Sequence, residues 1–157
     1  MRTFIKTPIS MLALLFIAST GCENNGGQKA TDFGVSDPTM SALVIQDKSD
    51  LFFITAVNYI TTESGTSGQQ GAIADNKSAT YTIKPGSYTL VVEARWENPS
   101  TNSTTADLLT TNTLKFADEK LSDSFTVQAG DAVVYNLNGG AIFESLGKYT
   151  APTLELQ

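Results

Sequence analysis

The chain has 157 residues, with 16 acidic and 10 basic side chains, no histidine and a single cysteine, Cys22. Without histidine it lacks the commonest general base and the commonest transition-metal ligand, and with one cysteine it forms no intrachain disulfide. A net charge of −6 argues against binding to nucleic-acid phosphates and against electrostatic docking on anionic lipid.

Taken in order, the chain begins with Arg2 and Lys6 and no acidic residue. An apolar run from Met11 to Ala18 follows, and Ser19-Thr20-Gly21 leads into Cys22. A charged start, a short apolar core and a small-residue exit are the parts of a secretory signal. The run is too short to span a bilayer, which takes about 20 residues. Ala18-Ser19-Thr20-Gly21-Cys22 resembles the lipobox of bacterial lipoproteins, departing from it at Ser19, where that family usually has Leu. The resemblance implies a lipoprotein signal peptide over 1–21 and diacylglycerol on the Cys22 thiol. It further implies cleavage before Cys22, acylation of the new amino terminus and membrane attachment through this anchor. Glu23 in place of Asp directs the expectation to the outer membrane of a cell envelope. Removing 1–21 takes away Arg2 and Lys6, so the 10 basic residues fall to 8 and the net charge from −6 to −8.

Glu23 to Pro38 is polar, Gly-rich and aperiodic, so 22–38 is expected to be the acylated cysteine and a flexible tether. The body then occupies 39–157. Ala42–Gln46 is a short apolar strand, and Asp47-Lys48-Ser49-Asp50 has turn chemistry. Leu51–Thr61 is apolar on both faces, as a central strand is. Residues 62–78 and 97–106 are polar loops. Between them, Tyr88, Leu90, Val92, Ala94 and Trp96 alternate with Ser87, Thr89, Val91, Glu93 and Arg95, which places each set on one face of a strand. Pro85-Gly86 before this run predicts a hairpin over Tyr81–Trp96. Leu108–Phe116 reads as a strand and Asp118–Asp123 as a charged turn.

Phe125-Thr126-Val127-Gln128-Ala129-Gly130 repeats the pattern of Tyr81-Thr82-Ile83-Lys84-Pro85-Gly86, and it predicts a second hairpin into Leu137. The tail from Asn138 holds a last strand or a short helix. About seven short strands separated by turn signals predict an all-β fold, a single antiparallel β-sandwich. From Ala42 to Leu137 the phrasing of strand, Pro/Ala-Gly turn and strand resembles the transthyretin-like and fibronectin-like modules of bacterial lipoproteins. That resemblance carries over no functional residue.

No motif carries catalysis. The glycines at 65, 68 and 71 match neither a dinucleotide fingerprint nor a P-loop. Asp47 with Asp50, and Asp118, Glu119 and Asp123, lack calcium-loop spacing and read as solvated turns. Serines have no histidine to activate them. The expectation is therefore a non-enzyme with no cofactor, no catalytic residue and no metal site, in a binding or structural role. Its partners are the membrane, through Cys22, and an unknown envelope protein or glycan, with no nucleic acid. The alternatives are a glycan or small-ligand module using loops 62–78 and 97–106, and a hydrolase built on a carboxylate pair. Trp96, with Tyr81 and Tyr88, is a candidate aromatic platform for a sugar. Its parity with Leu90 and Val92 instead assigns it to the core.

Overall fold

A computed structural model describes residues 27–62, 67–74, 76–97, 116–143 and 146–157. The fold is all-β, with no α-helix among the described residues. Ten strands are present among the described residues: β1 (Ser41–Asp47), β2 (Phe53–Thr61), β3 (Ser67–Gln70), β4 (Ser78–Ile83), β5 (Gly86–Glu97), β6 (Phe116–Val127), β7 (Ala132–Asn138), β8 (Ala141–Phe143), β9 (Lys148–Thr150) and β10 (Thr153–Leu156). They form one sheet in the order β10-β7-β1-β4, a second in the order β3-β2-β5-β6, and a separate β8-β9 pair. Pairing is antiparallel except between β1 and β7, which run parallel with Ala42 opposite Ala132. The wholly antiparallel expectation is therefore corrected at the centre of the first sheet.

One core joins the two large sheets. Leu43, Ile45, Val133, Tyr135 and Leu137 come from the first sheet, and Ile54, Val57, Tyr88, Leu90, Val92 and Trp96 from the second. Five rings run through it: Tyr81 against Tyr59, Tyr59 against Tyr88, Tyr88 stacked on Phe125 at 5.3 Å, and Phe125 against Tyr135. Such pairs add to what area burial alone supplies, and here they link the sheets without a covalent staple.

Both predicted hairpins are corrected. β4 pairs with β1 and β5 pairs with β2 and β6, so Lys84-Pro85-Gly86 carries the chain from the first sheet to the second. The similar phrase at Gln128-Ala129-Gly130 carries it back, from β6 to β7. Gly86 has φ +149° and Gly130 has φ +77°, conformations that a Cβ disfavours. The repeated phrase is thus one corner used twice, in opposite directions. Proline and glycine punctuate a corner as readily as a hairpin, and only the distant partner strand separates the two.

Three further boundaries differ from expectation. Residues 118–123 are no turn but the middle of β6, a twelve-residue edge strand. The predicted loop 62–78 contains β3, whose Ser-Gly-Gln-Gln sequence has no apolar alternation. It pairs through its backbone, and Gly68 leaves room for the Tyr59 ring directly opposite. Of the predicted tether, residues 27–38 are described, and they are anchored to the first sheet at Ala30 and Val35. Ala30–Phe33 forms a 3₁₀ turn ended by Gly34 at φ +83°, and Ala30 and Val35 are buried against Ala42, Val44, Ala132 and Val134. The Gln28 carbonyl accepts from the Ala132 N–H, and the Lys29 ammonium lies 2.6 Å from Asp131. Apolar burial drives this, since Ala30 and Val35 leave water together with the alanine and valine face of the first sheet. Cys22 and the predicted strand Leu108–Phe116, up to its last residue, lie outside the described residues.

Candidate functional site

β5 alternates in burial residue by residue, and its outer face meets solvent beside β2 and β6. In register, Glu93 stands opposite Lys120 and Arg95 opposite Asp118. A bulge in β2 between Ile54 and Ala56 interrupts the neighbouring ladder, and the Thr55 hydroxyl donates to the Glu93 carbonyl at 3.1 Å. The bulged strand bends away. The result is a depression of about 320 Å³ lined by Thr55, Glu93, Ala94, Arg95, Asp118, Glu119 and Lys120.

Its charges are mutually engaged. Arg95 donates to both carboxylate oxygens of Asp118, at 2.6 and 3.3 Å, and its Nη1 reaches Glu97 at 3.4 Å. The hydrogen bond and charge of Asp118 hold the Arg95 guanidinium above its ordinary pKa. Lys120 lies 3.4 Å from Glu93. Cross-strand pairs of this kind stabilise a sheet modestly and are screened in water. The depression offers polar contacts to a ligand and holds no nucleophile paired with an activating base.

The candidate carboxylates separate onto different jobs. Asp118 points outward to Arg95, whereas Glu119 and Asp123 share the inward parity of β6. The Tyr149 hydroxyl donates to Glu119 at 2.6 Å, and the Tyr135 hydroxyl to Asp123 at 2.8 Å. The hydrogen bond to Glu119 raises the Tyr149 pKa, with burial adding to it. Asp47 is buried and accepts the Ser49 N–H in the turn after β1, while Asp50 is exposed. No group of three or more potential metal-ligating residues occurs among the described residues.

Trp96 is 6% exposed and belongs to the core with Leu90 and Val92, so its ring faces the opposite sheet rather than solvent. Tyr88 is buried, and its hydroxyl donates to the Lys84 carbonyl at 2.8 Å. Burial raises the pKa of Tyr81 and of Tyr88, with Tyr59 contributing to both. The aromatic face is thus internal, and the three rings do not form an open platform. Of the two candidate recognition loops, Thr62 starts beside Ser87 at the Gly86 end of β5, whereas Glu97 starts the other at the far end. Residues 98–106 lie outside the described residues. The depression itself was missed in sequence. Its one local signal is the Glu93/Arg95 alternation, which an ordinary solvated strand also shows.

No family model matches the chain, and no curated protein matches its sequence. A solved NMR structure of a protein from Eubacterium rectale is similar with a TM-score of 0.40 and 8% identity, over 75% of this chain and 88% of that one. A likeness of that degree supports no inference about fold or function. No helix among the described residues is long and apolar enough to cross a membrane.

Proposed function

We propose that this chain is a lipid-anchored extracytoplasmic protein, held at the outer membrane of a cell envelope through Cys22. Its body is read as a single β-sandwich with a non-catalytic binding or structural role. The observation that carries the proposal is the place of the lone cysteine, directly after an apolar run and three small residues. The anchor needs the acyl chains, because the acidic body gains nothing from anionic lipid. The non-catalytic reading is supported by the lack of any histidine and by the engagement of Asp118, Glu119 and Asp123 in structural bonds.

The packed N-terminal segment sharpens the geometry. Gln28 is already bonded to β7, so only residues 23–27 separate it from Cys22. Six residue steps reach at most about 20 Å. The body is then held close to the membrane, not displayed on a long tether. Metabolic labelling with a fatty-acid analogue tests the anchor. The wild-type chain takes up label and partitions with membranes, and Cys22→Ser loses both. Equal labelling of the mutant would sink the proposal. A second reading, binding of a small polar ligand or glycan, is favoured by the depression around Arg95 and Lys120. A glycan array with Arg95→Ala as the control tests it.

A further inference from the structure

Each large sheet has two edges, and open edges are places where another chain can add a strand. β6 is guarded. It places Glu119 and Asp123 on its inward parity and Asp118 and Lys120 on its outward parity, all of which a pairing strand would have to accommodate. β3 and β10 are only four residues long. β4 differs from all three. Its six residues, Ser-Ala-Thr-Tyr-Thr-Ile, contain no charge, proline or glycine. Ala79, Tyr81 and Ile83 face inward, and Ser78, Thr80 and Thr82 are exposed.

Among the described residues, the backbone of β4 has a partner strand on one side only. The Asp47 N–H donates to the Lys77 carbonyl, which makes 47 and 77 a hydrogen-bonded pair. By antiparallel alternation 45/79, 43/81 and 41/83 are such pairs too. The N–H and C=O groups of Ser78, Thr80 and Thr82 therefore point away from β1, along about 20 Å of edge. A lysine stands at each end, Lys77 and Lys84. Both are exposed, and neither is in an ion pair among the described residues.

We propose that the β4 edge is a docking site for an extended peptide segment of a partner protein, added as a fifth strand and carrying acidic residues at both ends. Main-chain hydrogen bonds supply the attachment, and the two lysines supply the selection. A second copy of this chain fits less well. Antiparallel self-pairing through the outward groups of Ser78, Thr80 and Thr82, centred on Thr80, sets Lys77 opposite Ile83 and so one residue from the other copy's Lys84, at both ends of the new pair. The inference stands whether or not Cys22 is acylated.

The test uses the full chain and a nine-residue peptide with alternating Val and Thr at its centre and two Asp at each end. The expected result is at least tenfold slower hydrogen exchange at the amides of Ser78, Thr80 and Thr82, weakening with added salt. A peptide with Lys in place of Asp binds at least tenfold more weakly. Thr80→Pro removes an outward N–H without touching the β1 ladder and loses at least tenfold in binding. Should that variant fail to fold, Thr80→Asp leaves the backbone intact and repels the same peptide. Three results overturn the proposal: no protection of those amides at millimolar peptide, equal protection by the lysine version, or protection that rises with protein concentration alone.

Discussion

The two large sheets solve the burial problem differently. β1 and β7 are buried at nearly every position, because the core covers one face of their sheet and residues 27–40 cover the other. β5 is buried at every second position only, because its outer face is left to water and to charged pairs. Parallel neighbours such as β1 and β7 belong inside a molecule, and the apolar runs in both strands fit that place. The lesson is that an ordered N-terminal segment turns a half-buried sheet into a central layer. Among the described residues, the second sheet keeps an outer face open to polar contacts with a partner, and the first keeps the uncharged edge.

The largest expected effect lies on the inner face of the second sheet. Trp96→Ala removes a ring that is 6% exposed and packed in the shared core, so a loss of about 3–5 kcal/mol is expected from the denaturant midpoint. The wild-type fluorescence is blue-shifted and poorly quenched by iodide. Ready quenching with an unchanged midpoint in the mutant would reverse the placement of this residue and return it to the candidate ligand sites.

The next effect compares the outer faces directly. Val44 on β1 is 1% exposed under the N-terminal segment, whereas Val91 on β5 is half-buried on the open face. Val44→Ala should cost about 2 kcal/mol, from two buried carbons and the space they leave. Val91→Ala should cost less than about 1 kcal/mol. Equal losses at the two sites would mean that residues 27–40 do not cover the first sheet in solution.

How much of this was legible follows from the same contrast. Alternation in β5 reports one buried face, and it put Trp96 beside Leu90 and Val92, where it lies. Continuous apolar runs reported β1 and β7. The cover did not show, because Ala30, Phe33 and Val35 are too few to give a period, and their partners are in β1 and β7. The corners at Gly86 and Gly130 did not show either, since the pairing that makes them corners is with strands far along the chain. Glu119 and Asp123 hid β6, because a charge on the inward parity of a strand makes sense only once Tyr149 and Tyr135 are in place to bind it. The depression needs the β2 bulge, and no residue type announces a bulge there.

The smallest effect is a pH dependence, and it separates the core from its rim. Tyr81 and Tyr88 have folded pKa values raised above the ordinary 10.0 by burial, with Tyr59 adding to each. Tyr149 is raised by its bond to Glu119 and by burial. For a tyrosine the charged form is the deprotonated one, so a raised folded pKa means that the folded state keeps its proton longer than the unfolded chain. The stability this supplies is complete below the unfolded value and is lost as pH climbs through the folded value. The denaturant midpoint should therefore hold level through neutral pH and fall above about pH 10. Tyr88→Phe and Tyr149→Phe should each make that fall shallower. Tyr149→Phe should also destabilise at neutral pH, because it leaves Glu119 on the inward parity of β6 without its donor. An alkaline slope unchanged in both variants would mean that neither hydroxyl senses the fold. The inward carboxylate would then need some other explanation than the tyrosine that bonds to it.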